Sequence, residues 1–139
     1  MSTTRSAGRA LVAAALLTLA AGCGGRGDVS GKVTYQGKTL VWGTVQFEGS
    51  DGALVQGNIN PDGTYLVRGV ATGRAKVAVS SINPNSADFQ PRVAPGQPAP
   101  PRREVTGWFP IPRKYDTPYQ SGLTYLIKAG SNTIDIQLD

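Results

Sequence analysis

At 139 residues the chain is sized for one domain built around one core. It has no histidine and one cysteine, which removes the commonest general base, any intramolecular disulfide and any cysteine-built metal site. The formal net charge is +5; setting aside Arg5 and Arg9, which fall in a segment read below as cleaved, leaves 12 basic residues against 9 acidic, or +3, too mild a balance to argue for nucleic acid.

The chain opens on an address. Arg5 and Arg9 supply a positive start, and Ala10 to Ala21 reads ALVAAALLTLAA, broken only by Thr18. A run of about a dozen apolar residues suits the core of a signal peptide and falls short of the roughly 20 that a spanning helix needs. It ends in Ala20-Ala21-Gly22-Cys23, followed by Gly24-Gly25. This ending resembles a bacterial lipobox, in which a peptidase that accepts only small residues cuts before an acylated cysteine. Ala20 stands where a large aliphatic residue is usual, with Leu19 one place earlier. The resemblance implies a cleaved signal peptide over residues 1–22 and lipidation at Cys23. It also implies an exported protein held on a bacterial membrane, in the cell envelope. The alternatives are a plain secretory signal, with Cys23 an incidental thiol, and an uncleaved anchor. Two acyl chains matter because one alone binds only marginally, at about 0.8 kcal/mol per buried CH₂.

Residues 23–28 read as the lipidated cysteine and a polar, glycine-rich tether; a β-sandwich domain is expected over 29–139. Apolar and polar residues then alternate with the period of a half-buried strand. Val29, Val33 and Tyr35 share one face, and Gln36-Gly37 signals a turn. Val45 and Phe47 mark a second strand within Leu40 to Glu48, closed by Ser50-Asp51-Gly52. Val55 and Ile59 mark a third, closed by Asn60-Pro61-Asp62-Gly63, in which Pro presets φ, Asp bonds its own backbone and Gly accepts positive φ. Tyr65 and Val67 follow, Gly69 to Gly73 interrupts, and Ala75, Val77 and Val79 resume.

From Ile82 to Pro112 the character changes, because eight of the ten prolines lie here. Such a segment is neither helix nor central strand. A loop this long is usually functional or disordered, and residues 83–103 are expected as a mobile or polyproline-like excursion. The chain is expected to close as a hairpin, Leu123 to Lys128 against Ile134 to Leu138, with Ala129-Gly130-Ser131-Asn132 as its turn. The total is seven short strands with turn signals every 8–12 residues: an all-β, seven-stranded antiparallel β-sandwich.

Three stretches carry a further resemblance: VSGKVTYQGKTLVWGTVQF (Val29 to Phe47), NINPDGTYLV (Asn58 to Val67) and RAKVAVS (Arg74 to Ser80). They resemble the carboxypeptidase regulatory-like, or transthyretin-like (prealbumin-like), β-sandwich module. IPRKYDTPYQSGLTYLIKAGSNTIDIQL (Ile111 to Leu138) is similar to the ending of small exported lipoproteins built on that module. The resemblance spans the mature chain outside the excursion and implies a supporting or binding sandwich without settled activity. Trp42 departs from it, standing where a small residue is usual. Hydrolases of small purine-derived rings share the fold, but they rely on histidines this chain lacks.

No nucleophile with a base and no evident carboxylate pair is present, so a non-catalytic protein is expected, with no cofactor and no metal. Asp51 and Asp62 sit in turns, without the alternating oxygen ligands of a calcium loop. The stretch RREVTGWFPIPRKYDTPY (Arg102 to Tyr119) mixes Arg102, Arg103, Arg113 and Lys114 with Trp108, Phe109, Tyr115 and Tyr119. Trp108, Phe109, Arg113, Lys114 and Tyr115 are the candidate binding residues, since flat rings beside cationic donors grip sugars or anionic surfaces. The competing reading packs the rings over an open edge of the sandwich, as edge strands require. Trp42 has the same ambiguity. The expected function is a membrane-anchored structural or protein-interaction module, with an envelope protein as partner. The alternative is a module binding carbohydrate or another envelope polymer. An exported, tethered protein rarely meets nucleic acid, so none is expected.

Overall fold

The structure is a computed structural model that describes residues 24–89, 92–101 and 104–139. The signal segment, Cys23, Arg102 and Arg103 lie outside the described residues, and with them the lipidation call.

Alternation of apolar and polar residues becomes strand wherever turn chemistry lets the chain reverse. β1 (Arg26–Tyr35) turns at Gln36-Gly37, both at positive φ (48° and 77°), into the two-residue β2 (Lys38–Thr39). β3 (Thr44–Glu48) and β4 (Leu54–Asn58) flank a turn in which Asp51 Oδ1 accepts the Ala53 amide at 3.0 Å. Before β5 (Thr64–Ala71), Asp62 Oδ1 accepts from both the Thr64 amide (3.0 Å) and the Thr64 hydroxyl (2.6 Å). Those bonds hold its carboxyl below the ordinary 3.8. β6 (Gly73–Ser80) follows after Thr72 alone. Short 3-10 turns at Ala87–Phe89 and Arg113–Asp116 lie on the long connection to β7 (Leu123–Ile127), and β8 (Gly130–Thr133) and β9 (Ile136–Leu138) end the chain.

Two sheets result. In the first, β1 is central: β5 lies antiparallel on one flank, β2 folds back on its far end, and β8 and β9 pair the other flank in parallel. The second runs β4-β3-β6-β7, antiparallel throughout. Val29, Val33, Tyr65, Val67 and Ile136 of the first meet Val45, Phe47, Val77 and Val79 of the second in one buried cluster. Phe47 and Tyr65 stack across it with centroids 6.3 Å apart. Each such side chain, fully buried, contributes about 1.5–3 kcal/mol. The molecule is therefore all-β with two facing sheets, as a β-sandwich requires.

The expected count and pairing need correction. There are nine strands among the described residues rather than seven, and two of the pairings are parallel. β2 is a short return too small to show in alternation. The expected last strand is split: the Ile134 carbonyl turns aside to accept the Tyr65 hydroxyl at 2.7 Å, and Asp135 Oδ1 takes the Lys32 amide at 2.9 Å in place of a ladder carbonyl. The closing segments are not a hairpin, because β7 pairs β6 while β8 and β9 pair β1. At the crossing, the Asn132 side chain accepts the Lys128 amide at 2.9 Å and donates to the Lys128 carbonyl at 2.8 Å, standing in for a partner strand. The first strand also starts early: Arg26 and Gly27 pair with Ala71 and Val70, and the Gly25 carbonyl accepts the Thr72 amide at 2.9 Å. The residues expected as tether from Arg26 onward are thus part of the sheet.

Candidate functional site: an apolar cleft at one end of the sandwich

The strand directions define two ends. One carries Gly25, the 49–53 turn, the β5–β6 crossing and the β7–β8 crossing. The other carries the ends of β3, β4 and β6 at Thr44, Asn58 and Ser80, which are mutual neighbours (Thr44 pairs with both). The eight residues of β6, from Gly73 to Ser80, separate the ends by about 25 Å.

At the second end lies a cleft of about 240 Å³ lined by Trp42, Thr44, Asn58, Ile59, Ser80, Ile82 and Phe89, with the Gly43 backbone at its base. Two hydrogen bonds and one close backbone approach hold the Trp42 segment in place. The Ser81 hydroxyl donates to the Trp42 carbonyl at 2.8 Å, and the Gly43 carbonyl accepts the Ile59 amide at 2.9 Å. Gly43 has φ of +137°, and a Cβ there would overlap the Ser80 carbonyl, so glycine alone lets these backbones close up. Around this fixed point Trp42 is 40% exposed, Phe89 51% and Ile82 59%. Three large apolar side chains exposed around one concavity mark a contact surface more than scattered ones would. A second hollow, beside Val41, Pro61 and Val105, lies along the other flank of Trp42. Among the described residues no ionisable side chain lines the first cleft; those that do offer apolar faces and the polar groups of Thr44, Asn58 and Ser80.

The excursion is pinned beside this cleft. Asn85 Oδ1 accepts the Val105 amide at 3.0 Å and its Nδ2 donates to the Val105 carbonyl at 3.2 Å, closing the base of the loop. Between these residues the described positions from Arg92 to Pro101 are exposed.

The candidate binding residues do not gather. Trp108 is half-buried, its indole N–H donating to the Ser81 hydroxyl (3.0 Å) and carbonyl (3.3 Å). Phe109 packs on the core and stacks with Tyr35, centroids 6.2 Å apart. Tyr115 is buried, and its hydroxyl donates to the Asp139 carbonyl (3.0 Å) and accepts the Asp139 amide (2.9 Å). These are the contacts of packing: the segment seals the flank where β7, pairing only Gly73 to Val77, leaves the rest of β6 uncovered. Arg113 and Lys114 are exposed, with Lys114 Nζ 4.7 Å above the Tyr115 ring. Tyr119 stays outside, its hydroxyl bonded to Glu48 at 2.9 Å and its ring under Lys76 at 4.3 Å; the Glu48 bond pushes its phenol pKa up. Trp42 drew notice in the sequence as a departure from pattern and as a ring that either binds or packs, whereas Ile82 and Phe89 had no signal beyond being apolar near prolines. Among the described residues no three His, Cys, Asp or Glu side chains form a group able to hold a metal.

Fold and surface together define an all-β, two-sheet protein with an apolar cleft at one end. No protein-family profile matches the chain, and no curated protein matches it. Among solved structures it is similar to a DUF3823 family protein from Parabacteroides merdae ATCC 43184, at 14% identity over 81% of this chain and 45% of that one, with a TM-score of 0.42. A DUF3823 family protein from Bacteroides ovatus ATCC 8483 is similar at 16% identity over 81% of this chain and 43% of that one, with a TM-score of 0.43. The chain thus spans less than half the length of either structure.

Proposed function

We propose that this protein is an exported lipoprotein of the bacterial cell envelope, acylated at Cys23, whose transthyretin-like sandwich is a non-catalytic interaction module. In this reading the Trp42 cleft receives an apolar side chain of an envelope protein. The observation that supports it is the exposure of Trp42, Ile82 and Phe89 around one concavity whose backbone is rigidly clamped. Interface cores favour aromatic anchors in preformed hollows. The clamp spares the partner the cost of ordering the site.

The test is a photo-crosslinker at Ile82 in intact cells, with a control at Leu66, which is also exposed but lies on β5. One dominant protein adduct at Ile82 and none at Leu66 is expected. Phe89→Ala should abolish it while changing stability by less than about 0.5 kcal/mol, as exposed positions do. Glycan adducts alone would turn the reading to envelope-polymer binding, with Thr44, Asn58 and Ser80 as polar partners beside the Trp42 ring. Equal labelling at both positions would remove the cleft from consideration. The anchor has its own test: Cys23→Ala should release the protein from membranes, and a variant still pelleting after a carbonate wash would refute acylation.

A further inference from the structure

The end of the sandwich opposite the cleft is where the chain enters the fold, and the entry is abrupt. The Gly25 carbonyl is already bonded to the Thr72 amide at 2.9 Å, and a Cβ on Gly25 would meet Thr72 at 3.3 Å and Ala129 at 3.5 Å. Only Gly24 separates Gly25 from Cys23. Two residues of fully extended chain reach about 7 Å. The headgroup layer of one leaflet is roughly 5–8 Å deep. A body held by so short a leash has no room to stand clear of the lipid.

We infer that this end is a membrane-docking face: the tip formed by Gly25, Thr72, Ala129 and Gly130 rests on the phospholipid headgroups, and the Trp42 cleft points away from the bilayer. This rests on the reading of Cys23 as the anchor. The chemistry of the end fits a lipid surface. The tip carries small residues, so nothing bulky holds it off. Around it stand Arg26, Arg68, Arg74 and Lys128, all exposed, against Asp28 and Asp51. Arg26 is held toward the tip by the Gly69 carbonyl at 2.8 Å and by Asp51 at 3.2 Å. A basic collar beside a lipid anchor attracts anionic headgroups, the second signal that firm attachment uses. End-on docking leaves the cleft about 25 Å from the headgroups, the length of β6, where it meets protein partners rather than lipid.

The chain suits a direct test. Cys23 is its only cysteine, and both of its tryptophans, Trp42 and Trp108, lie at the cleft end. The mature chain from Cys23 is coupled by its thiol to maleimide-headgroup lipid in phosphatidylcholine/phosphatidylglycerol vesicles that also carry a spin label at headgroup depth. Chemical coupling supplies the anchor whether or not cells acylate Cys23, so failure of the acylation reading and failure of this one are separate results. Trp42 and Trp108 should fluoresce unquenched, whereas Ala129→Trp should add a component quenched severalfold. Hydrogen exchange on the unmodified sequence serves if that variant misfolds. Amides of residues 69–73 and 128–131 should slow on vesicles relative to free protein, and those of 41–43 and 58–60 should not. Quenching of the native tryptophans, or protection at the cleft end in place of the tip, would overturn the proposal.

Discussion

Gly31 shows how tightly one residue can be specified by its surroundings. It lies in β1 between Tyr65 on one flank and the break between β8 and β9 on the other. A Cβ at this position would overlap the Ile134 carbonyl oxygen, the same atom that accepts the Tyr65 hydroxyl. Both groups are backbone or anchored, so neither yields cheaply. Gly31→Ala should therefore lower stability by about 1–3 kcal/mol, the range for overpacking a dense interior. Gly24→Ala, with nothing within 4 Å of the added Cβ, should change nothing and is the control. Urea unfolding of the two variants decides the matter; equal midpoints would mean that the β8–β9 break moves aside freely.

At the scale of the element, the segment from Val105 to Ser121 contains no strand but closes the sandwich flank. Its short turn at Arg113–Asp116 inserts Tyr115, whose hydroxyl bonds both backbone groups of Asp139 at the chain end, beyond β9. Ser121, buried, donates its hydroxyl to the Val77 carbonyl and leads into β7. Tyr115→Phe keeps the ring in the core and removes only the latch. It should cost about 1–2 kcal/mol, since each hydrogen bond nets about 0.5–1.5 kcal/mol. A denaturation midpoint equal to that of the parent would show that Asp139 finds water instead and the latch is idle.

For the whole molecule, the buried core sets a pH limit on the alkaline side. Burial pushes the Tyr65 phenol pKa far above its ordinary 10.0, and Tyr125, half-buried, moves the same way. Above about pH 10 the unfolded chain loses these protons while the folded chain keeps them, so the unfolded state binds fewer protons and stability falls as pH rises. Below 10 both states are protonated and the contribution is constant. Urea midpoints should be level from about pH 8 to 9.5 and then decline, with a shallower decline in Tyr65→Phe. A profile level through pH 11 would mean that Tyr65 ionises in place. The same two-ended shape that buries Tyr65 mid-sandwich separates the basic entry end from the apolar cleft.

Alternation and turn chemistry are local, and they made much of the fold legible. Val45 and Phe47, or Val77 and Val79, declare a buried face by spacing alone, and Asn60-Pro61-Asp62-Gly63 declares its turn by residue type. The all-β class, and an excursion without strand among its described residues, follow from the same signals. The identity of each strand's partner does not. Inward and outward residues alternate identically whether Ile134 to Leu138 pairs with β7 or lies parallel to β1. Only three-dimensional packing decided that, through Asn132, Asp135 and the Ile134 carbonyl. The cleft is decided the same way. Trp42, Ile82 and Phe89 belong to segments up to 47 residues apart and share no periodicity. They meet because β3, β4 and β6 end together, a matter of long-range register that no local pattern encodes.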